Sequence, residues 1–239
     1  MGFYDQLSTY YDVLFRPGEA QLNFISSRTK RRGRVLDIGC GTGTYAIPLA
    51  VAGFDVSAFD FDQVMVDRME RKALAAGVLV NGFQMDMNLL HKVIEESFDT
   101  IVCIGNTLAH LRGLEAMDKF MASANGKLKP GGKLLVQTVN YDRIYADDVS
   151  RLPTLDRPEA GVKFERLYQR QGAHIDFIGT LHLPDGTSST SSVKLYGFTH
   201  DQITTAMEKA GFTTRSYGNF SDLAHSLSAP AIVIEATRK

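Results

Sequence analysis

A chain of 239 residues, 44% hydrophobic and 22% charged, has the size of one or two domains and enough apolar material for a substantial core. Its formal net charge of -1 argues against a partner held mainly by a basic surface, such as bulk nucleic acid. Residues 1–9 carry no basic leader region, no apolar run approaches the ~18 residues of a membrane span, and Cys40 and Cys103 sit poorly for a disulfide, which together fit a reduced, cytoplasmic protein.

Residues 3–16 place aromatic and apolar side chains at roughly helical spacing and stop at Pro17-Gly18, and a second helical segment covers residues 19–31. Arg34-Val35-Leu36-Asp37-Ile38-Gly39-Cys40-Gly41-Thr42-Gly43 then reads as a short buried strand that runs into a tight turn, with a helical pattern from Tyr45 to Ala52. Glycine lets a backbone turn sharply and approach a ligand with no side chain in the way. Strand, glycine turn and helix start together make a nucleotide-sized corner at the carboxyl edge of a parallel sheet. A dinucleotide fingerprint needs G-x-G-x-x-G, but its last place is held by Thr44 and the third glycine comes one residue early, at Gly43. Asp37 would repel a pyrophosphate and suits a ligand that presents an ammonium group. A dinucleotide oxidoreductase therefore fails on both counts.

V-L-D-I-G-C-G-T-G resembles the glycine motif of class I S-adenosylmethionine (SAM)-dependent methyltransferases. The resemblance implies a Rossmann-like α/β fold: a seven-stranded, mostly parallel sheet with helices on both faces. It assigns Asp37, Gly39, Gly41 and Gly43 to the cofactor, and S-adenosylhomocysteine (SAH) as the product. Many small-molecule methyltransferases also carry an N-terminal helix with a "Y-D" repeat that closes over the cofactor. Tyr4-Asp5 and Tyr11-Asp12 match it, with Tyr11 the better lid contact, although aromatic residues on such a helix also serve plain packing. Residues 1–32 are thus expected as a helical lid and 33–149 as the SAM-binding core.

From Phe54 strands and helices alternate, the signature of a parallel sheet covered on both faces. Residues 54–59 form the second strand and end in Asp60, about 20 residues beyond the first glycine, where a carboxylate accepts ribose hydroxyls. Phe61 and Met65 follow at positions that line the adenine in the resembled family, and Met65 fits a core role equally well. Residues 78–85 read as the third strand, weakened by Asn81-Gly82, with Asp86-Met87 at its end to meet the adenine edge. Residues 98–105 are the fourth strand, whose tip, with Ile104, faces the transferred methyl in this family. No N-P-P-Y or D-P-P-Y follows, which weighs against nucleic-acid bases as acceptors, and no Pro-Cys nucleophile is present.

Instead, C-I-G-N-T-L-A-H-L is similar to the corresponding stretch of glycine and sarcosine N-methyltransferases, and V-N-Y-D at 139–142 adds to the likeness. The resemblance is good over about 33–145 and only in outline beyond. It makes Asn106 a substrate-holding residue. His110 can act as a general base or cap the following helix. Tyr141 and Arg143 at the rim, and Arg166 and Tyr168 further on, can meet an anionic substrate group or serve as surface and packing.

A helix is expected over 114–129, a K-P-G-G turn at 129–132 and a fifth strand over 133–141. Residues 150–198 change character: His174–Leu183 alternates strictly, and Pro184-Asp185-Gly186 marks a hairpin. This segment is expected as a small antiparallel insertion over the active site, and residues 199–239 as a helix (199–210) and two strands (212–220, 231–237) that complete the sheet. Six histidines show no metal-ligand spacing, so no metal is expected, and His174, Asp176 and His182 read as a solvated strand face. The overall reading is a SAM-dependent methyltransferase acting on a small molecule, an amine favoured. The alternative is a non-catalytic SAM- or SAH-binding protein.

Overall fold

The computed structural model describes residues 3–93, 97–221 and 223–239, the first four of these as backbone only. Two helices, α1 (Phe3–Leu14) and α2 (Glu19–Arg28), precede β1 (Arg34–Ile38). The core continues with α3 (Ala46–Val51), β2 (Asp55–Asp60), α4 (Gln63–Ala75), β3 (Asn81–Gln84), β4 (Phe98–Cys103), α5 (Leu114–Lys127), β5 (Leu128–Val139) and α6 (Tyr141–Ala146). After an insertion it closes with α7 (His200–Lys209), β10 (Phe212–Tyr217) and β11 (Ala231–Arg238). Among the described residues no helix is long and apolar enough to cross a membrane.

The seven strands lie in the order β10-β11-β5-β4-β1-β2-β3. β1 pairs in parallel with both β2 and β4, and β11 alone runs antiparallel between β5 and β10. The chain switches direction between β1 and β4, which opens a crevice beyond their carboxyl ends. Alternate side chains of the central strands point to opposite faces. Leu36, Ile38, Ile101, Cys103, Leu134 and Val136 enter one core. Val35, Val102 and Leu135 enter the other. Burial on both faces explains why β1, β4 and β5 read as near-continuous apolar runs.

Two elements differ from the sequence-based expectation. β3 is only Asn81–Gln84, and it includes the Asn-Gly pair expected to weaken it. A Cβ on Gly82 would stand 2.7 Å from Met69 Cε, so the glycine lets α4 pack directly on the strand. The K-P-G-G segment is absorbed into β5: Phe98 pairs with Leu128 but Thr100 with Lys133, so residues 129–132 bulge out of the ladder, with Gly131 at φ +74°.

The insertion is a four-stranded antiparallel sheet of β6 (Arg151–Arg157), β7 (Val162–Gln171), β8 (His174–His182) and β9 (Ser188–Tyr196). Its inner face meets α1 at one end, where Leu7 and Leu14 pack with Val162, Phe164 and Leu181. At the other end Tyr168, Ile175 and Leu195 pack with Tyr141, Ile144 and Ala109.

Glu235 on β11 ties α2 and two further strands together. It accepts hydrogen bonds from Arg28 Nε (2.8 Å), Lys133 Nζ (2.5 Å) and the Tyr217 hydroxyl (3.1 Å). Burial alone raises its pKa, but the hydrogen bonds from Lys133 and Arg28 win and hold it below 4.5. The ion pair therefore stabilises the fold above the unfolded pKa and is lost as pH falls through the lower folded value. Glu235→Gln should cost about 2 kcal/mol at pH 7 and lower Tm by roughly 4–8 °C. The gap from wild type should close as pH is lowered below 4 in thermal melts, and a gap independent of pH would contradict this account.

Candidate active site

The loop after β1 is shaped by three glycines, Gly39, Gly41 and Gly43, all at positive φ. Gly39 N and Cys40 N both donate to Phe59 O, at 2.9 and 3.0 Å, and Gly41 N donates to Asp60 Oδ2 at 2.8 Å. The turn is thereby pinned to the tip of β2. A Cβ on Gly39 would lie 2.5 Å from Thr107 Cγ2, and one on Gly41 would lie 3.1 Å from the Tyr11 ring. Only glycine accepts both the backbone angles and these neighbours.

Beneath the loop lies Asp37, 2% exposed. Desolvation, and then the nearby charge of Asp60, push its carboxyl up to about 7, against a hydrogen bond from the Ala46 backbone. Its Oδ2 is buried and has no hydrogen-bond partner among the described residues. Asp60 also titrates above its ordinary value, again through burial, and its Oδ1 accepts from Asp62 N at 3.0 Å.

A cavity of about 760 Å³ opens from this loop and is lined by Tyr11, Gly39, Gly41, Asp60, Phe61, Met65, Asp86 and Met87. These are the residues the sequence had nominated for the cofactor, apart from Asp37 under the floor, Gly43 packed on Met69 and Ile47, and Ile104 in the second core. Asp86 accepts from Asn88 N and Nδ2, at 2.9 and 2.7 Å, and caps the short helix Met87–Lys92. Beyond the cofactor residues the cavity runs past Gly105, Thr107 and His110 to Arg112 and β9. Burial lowers the pKa of His110, so its imidazole is neutral at pH 7.

The remaining nominated residues lie outside this cavity. Asn106, at φ 68°, turns its amide into the sheet: Oδ1 accepts from Thr138 Oγ1 (2.7 Å) and Val139 N (3.1 Å), and Nδ2 donates to the Tyr141 hydroxyl (2.9 Å). Tyr141 is fully buried and hydrogen-bonded to Tyr168 as well, and burial drives the pKa of both phenols up. Arg143 of α6 pairs with Asp147, just past the end of that helix, at 3.6 Å, and Arg166 donates to Pro153 O at 3.2 Å. The sequence nominates Asn106 to hold an acceptor; in the structure its amide oxygen is bonded to Thr138 and Val139 of β5 and the residue does not line this cavity. His174, read from sequence as solvated, lines the cavity with Ser192 and Lys194.

Helix α1 carries a fastening that no local motif displays. Lys72 Nζ on α4 donates to Asp12 Oδ1 (2.6 Å) and Thr42 O (2.9 Å), while Thr42 Oγ1 donates to the same Asp12 oxygen at 2.5 Å. Asp12 and Lys72 are 60 residues apart, so only the fold joins them. This clasp holds α1, and with it Tyr11, over the glycine loop. The side chains of Tyr4 and Asp5 lie outside the described residues. Among the described residues no group of three or more His, Cys, Asp or Glu is placed to hold a metal ion.

Residues 35–132 match the family described as "Methyltransferase domain". The chain is 27% identical to glycine/sarcosine N-methyltransferase of Aphanothece halophytica, over 99% of this chain and 86% of that protein. The enzyme of the same name from Halorhodospira halochloris is 31% identical over 60% of this chain and 54% of its own length. The chain therefore carries a methyltransferase domain at residues 35–132. Its fold matches the crystal structure of a SAM-dependent methyltransferase from Clostridium acetobutylicum, with a TM-score of 0.85 at 16% identity and 98% coverage of both chains. The site fits SAM, the cofactor named for that structure: the buried Oδ2 of Asp37, without a hydrogen-bond partner among the described residues, suits a cationic ligand, and the bare Gly39–Gly41 backbone admits close approach.

Two outcomes follow for this methyltransferase. Asp60→Ala should lower SAH affinity about 10–100-fold by calorimetry, from the loss of ~1.5–3 kcal/mol of charged hydrogen bonding, and unchanged binding in a folded variant would remove Asp60 from the site. Lys72→Met should accelerate SAH release roughly tenfold in stopped-flow measurements, while Lys72→Arg restores slow release. Equal release rates in all three proteins would show that the clasp does not hold α1 in place.

Proposed function

We propose that this methyltransferase transfers the methyl group of SAM to an amine nitrogen of a small molecule. The observation that carries this reading is the single cavity that joins the cofactor residues to His110. Its volume of about 760 Å³ falls in the range of small-molecule and cofactor sites, roughly 300–1,000 Å³. The similarity to proteins named glycine/sarcosine N-methyltransferase supports nitrogen as the acceptor atom.

SAM, when bound, supplies an electrophilic methyl on a sulfonium, so that holding a nucleophile in line does most of the work. Asp37, the glycine loop, Asp60, Asp86 and Met87 would hold it, with Tyr11 closing over the top. An amine must shed its proton before it can attack, and a partly dry cavity disfavours the charged ammonium. Neutral His110 accepts that proton. Asn106 acts as a positioning residue, because its bonds to Thr138, Val139 and Tyr141 fix the turn that carries Thr107 and His110. Arg143, Arg166 and Tyr168 brace α6 and the insertion in this scheme. We place the enzyme in the cytoplasm, where its buried free Cys40 and Cys103 stay reduced.

Labelled methyl transfer from SAM to a panel of primary and secondary amines, including glycine and sarcosine, tests the reading. Product on an amine supports it, whereas tight SAH binding with no transfer to any acceptor would make the protein a binding module. With the best acceptor, His110→Asn should cost about 10²–10⁴-fold in kcat and erase an acid limb lying below pH 6.5. Asn106→Ala should lower kcat at every pH without moving that limb. Normal turnover and an unchanged pH profile in His110→Asn would leave catalysis to positioning alone.

A further inference from the structure

Part of the cavity lining comes from β9 and the link before α5, and its two cationic groups, Arg112 and Lys194, carry one electrical sign. Strand alternation puts Ser192, Lys194 and Tyr196 of β9 on one face. The β8 register sets His174 opposite Tyr196. The His174 and Tyr196 rings meet edge to face at 5.3 Å, and Tyr196 stacks on Phe198 at 4.4 Å, so this face is braced by aromatic contacts. The link to α5 closes on it: a Cβ on Gly113, next to Arg112, would lie 3.7 Å from Tyr196 Cε2. Arg112, His174, Ser192 and Lys194 all line the cavity.

Both cations are exposed, and no carboxylate of the described residues forms an ion pair with either of them. Asp176 stands across the ladder from Lys194, but its Oδ2 is engaged by Gln171 Nε2 at 3.0 Å. The acidic groups of the cavity, Asp60, Asp62 and Asp86, come from other elements, at or just after the ends of β2 and β3. An Arg and a Lys with no ion pair among the described residues, lining one cavity with a hydroxyl, make a ready set of donors for an oxyanion, with the guanidinium suited to two-pronged recognition.

We propose that Arg112 and Lys194, with Ser192, form a subsite for a carboxylate or phosphate carried by the methyl acceptor. This rests on the methyl-transfer reading above and narrows it to acidic acceptors. The cavity lining is then divided electrically: its acidic groups receive the cationic cofactor and its basic groups receive the anion. Entry of an anionic acceptor is steered toward the basic groups, an effect that weakens as salt is added.

The test titrates the SAH-loaded protein with pyrophosphate and, separately, succinate, by calorimetry. Wild type should bind at least one of them, and the preferred anion separates a phosphate-bearing from a carboxylate-bearing acceptor. The double variant Arg112→Met/Lys194→Met should lose at least about tenfold of that affinity, while Arg112→Lys/Lys194→Arg keeps it within about threefold. SAH affinity should be the same in all three proteins, which shows them folded. Three results would each overturn the proposal: neither anion binds wild type, the methionine variant binds as well as wild type, or SAH affinity falls together with anion affinity. The last would assign the cations to the cofactor's own carboxylate. Failure of the methyl-transfer reading is seen separately, as absent turnover with every amine of the panel.

Discussion

Two carboxylates at the tips of neighbouring strands, Asp37 buried and Asp60 partly so, dominate this molecule. Asp37 is the last residue but one of β1, below the glycine turn, and Asp60 ends β2 beside it. Each is held above its ordinary pKa chiefly by burial, and Asp60 raises Asp37 further. Leaving two such groups in a low-dielectric corner is costly unless hydrogen bonds or a cation answer them. The protein supplies part of the answer through backbone N–H groups: Gly41 and Asp62 toward Asp60, and Ala46 toward Asp37. One Asp37 oxygen is left unanswered. A ligand that brings positive charge relieves this arrangement, and a phosphate-bearing one aggravates it. Cofactor choice is thus built into the backbone path of one turn, before any side chain of the adenine pocket is considered.

The same turn is covered from above by α1, which touches three parts of the fold at once. Tyr11 lies against Gly41, Asp12 is clasped by Lys72 and Thr42, and Leu7 and Leu14 pack on the insertion sheet. From the insertion, Arg157 donates to the carbonyls of Val13 and Leu14, at 3.0 and 3.2 Å, satisfying acceptors that a helix end leaves open. The core sheet's glycine loop and the insertion are therefore bridged by one helix. The exposed clasp, with Lys72 and Asp12 side chains 40% and 49% accessible, contributes through geometry more than through net Coulomb energy, because solvent screens it.

Much of this was legible in the residues themselves. The apolar runs of β1, β4 and β5, the glycine turn and the strict alternation of His174–Leu183 are local patterns, and each names one backbone conformation. Asp60 and Asp86 were readable because they end strands whose order the α/β alternation implies. What escaped was decided by partners distant in sequence. The 129–132 segment has the composition of a turn, yet pairing with β4 on one side and β11 on the other keeps it inside a strand as a bulge. Asn106 has the chemistry of a substrate contact, but Thr138 and Val139 claim its oxygen. His174 sits on the polar face of its strand, and only the approach of the Arg112 link turns that face into a cavity wall.

That last displacement bears on how specificity arises in such a fold. The parallel sheet positions the cofactor residues through short loops at adjacent strand tips, which leaves little freedom for variation. Other lining of the cavity comes from β9 and the link before α5, where a Cβ on Gly113 would lie 3.7 Å from Tyr196 Cε2. Ser192, Lys194 and Arg112 make no hydrogen bond to Asp37, Asp60 or the glycine loop among the described residues, so they can change without disturbing that corner. If the acceptor binds there, as proposed above, an acceptor site built partly on an inserted sheet can diverge while the corner at the tips of β1 and β2 stays as it is.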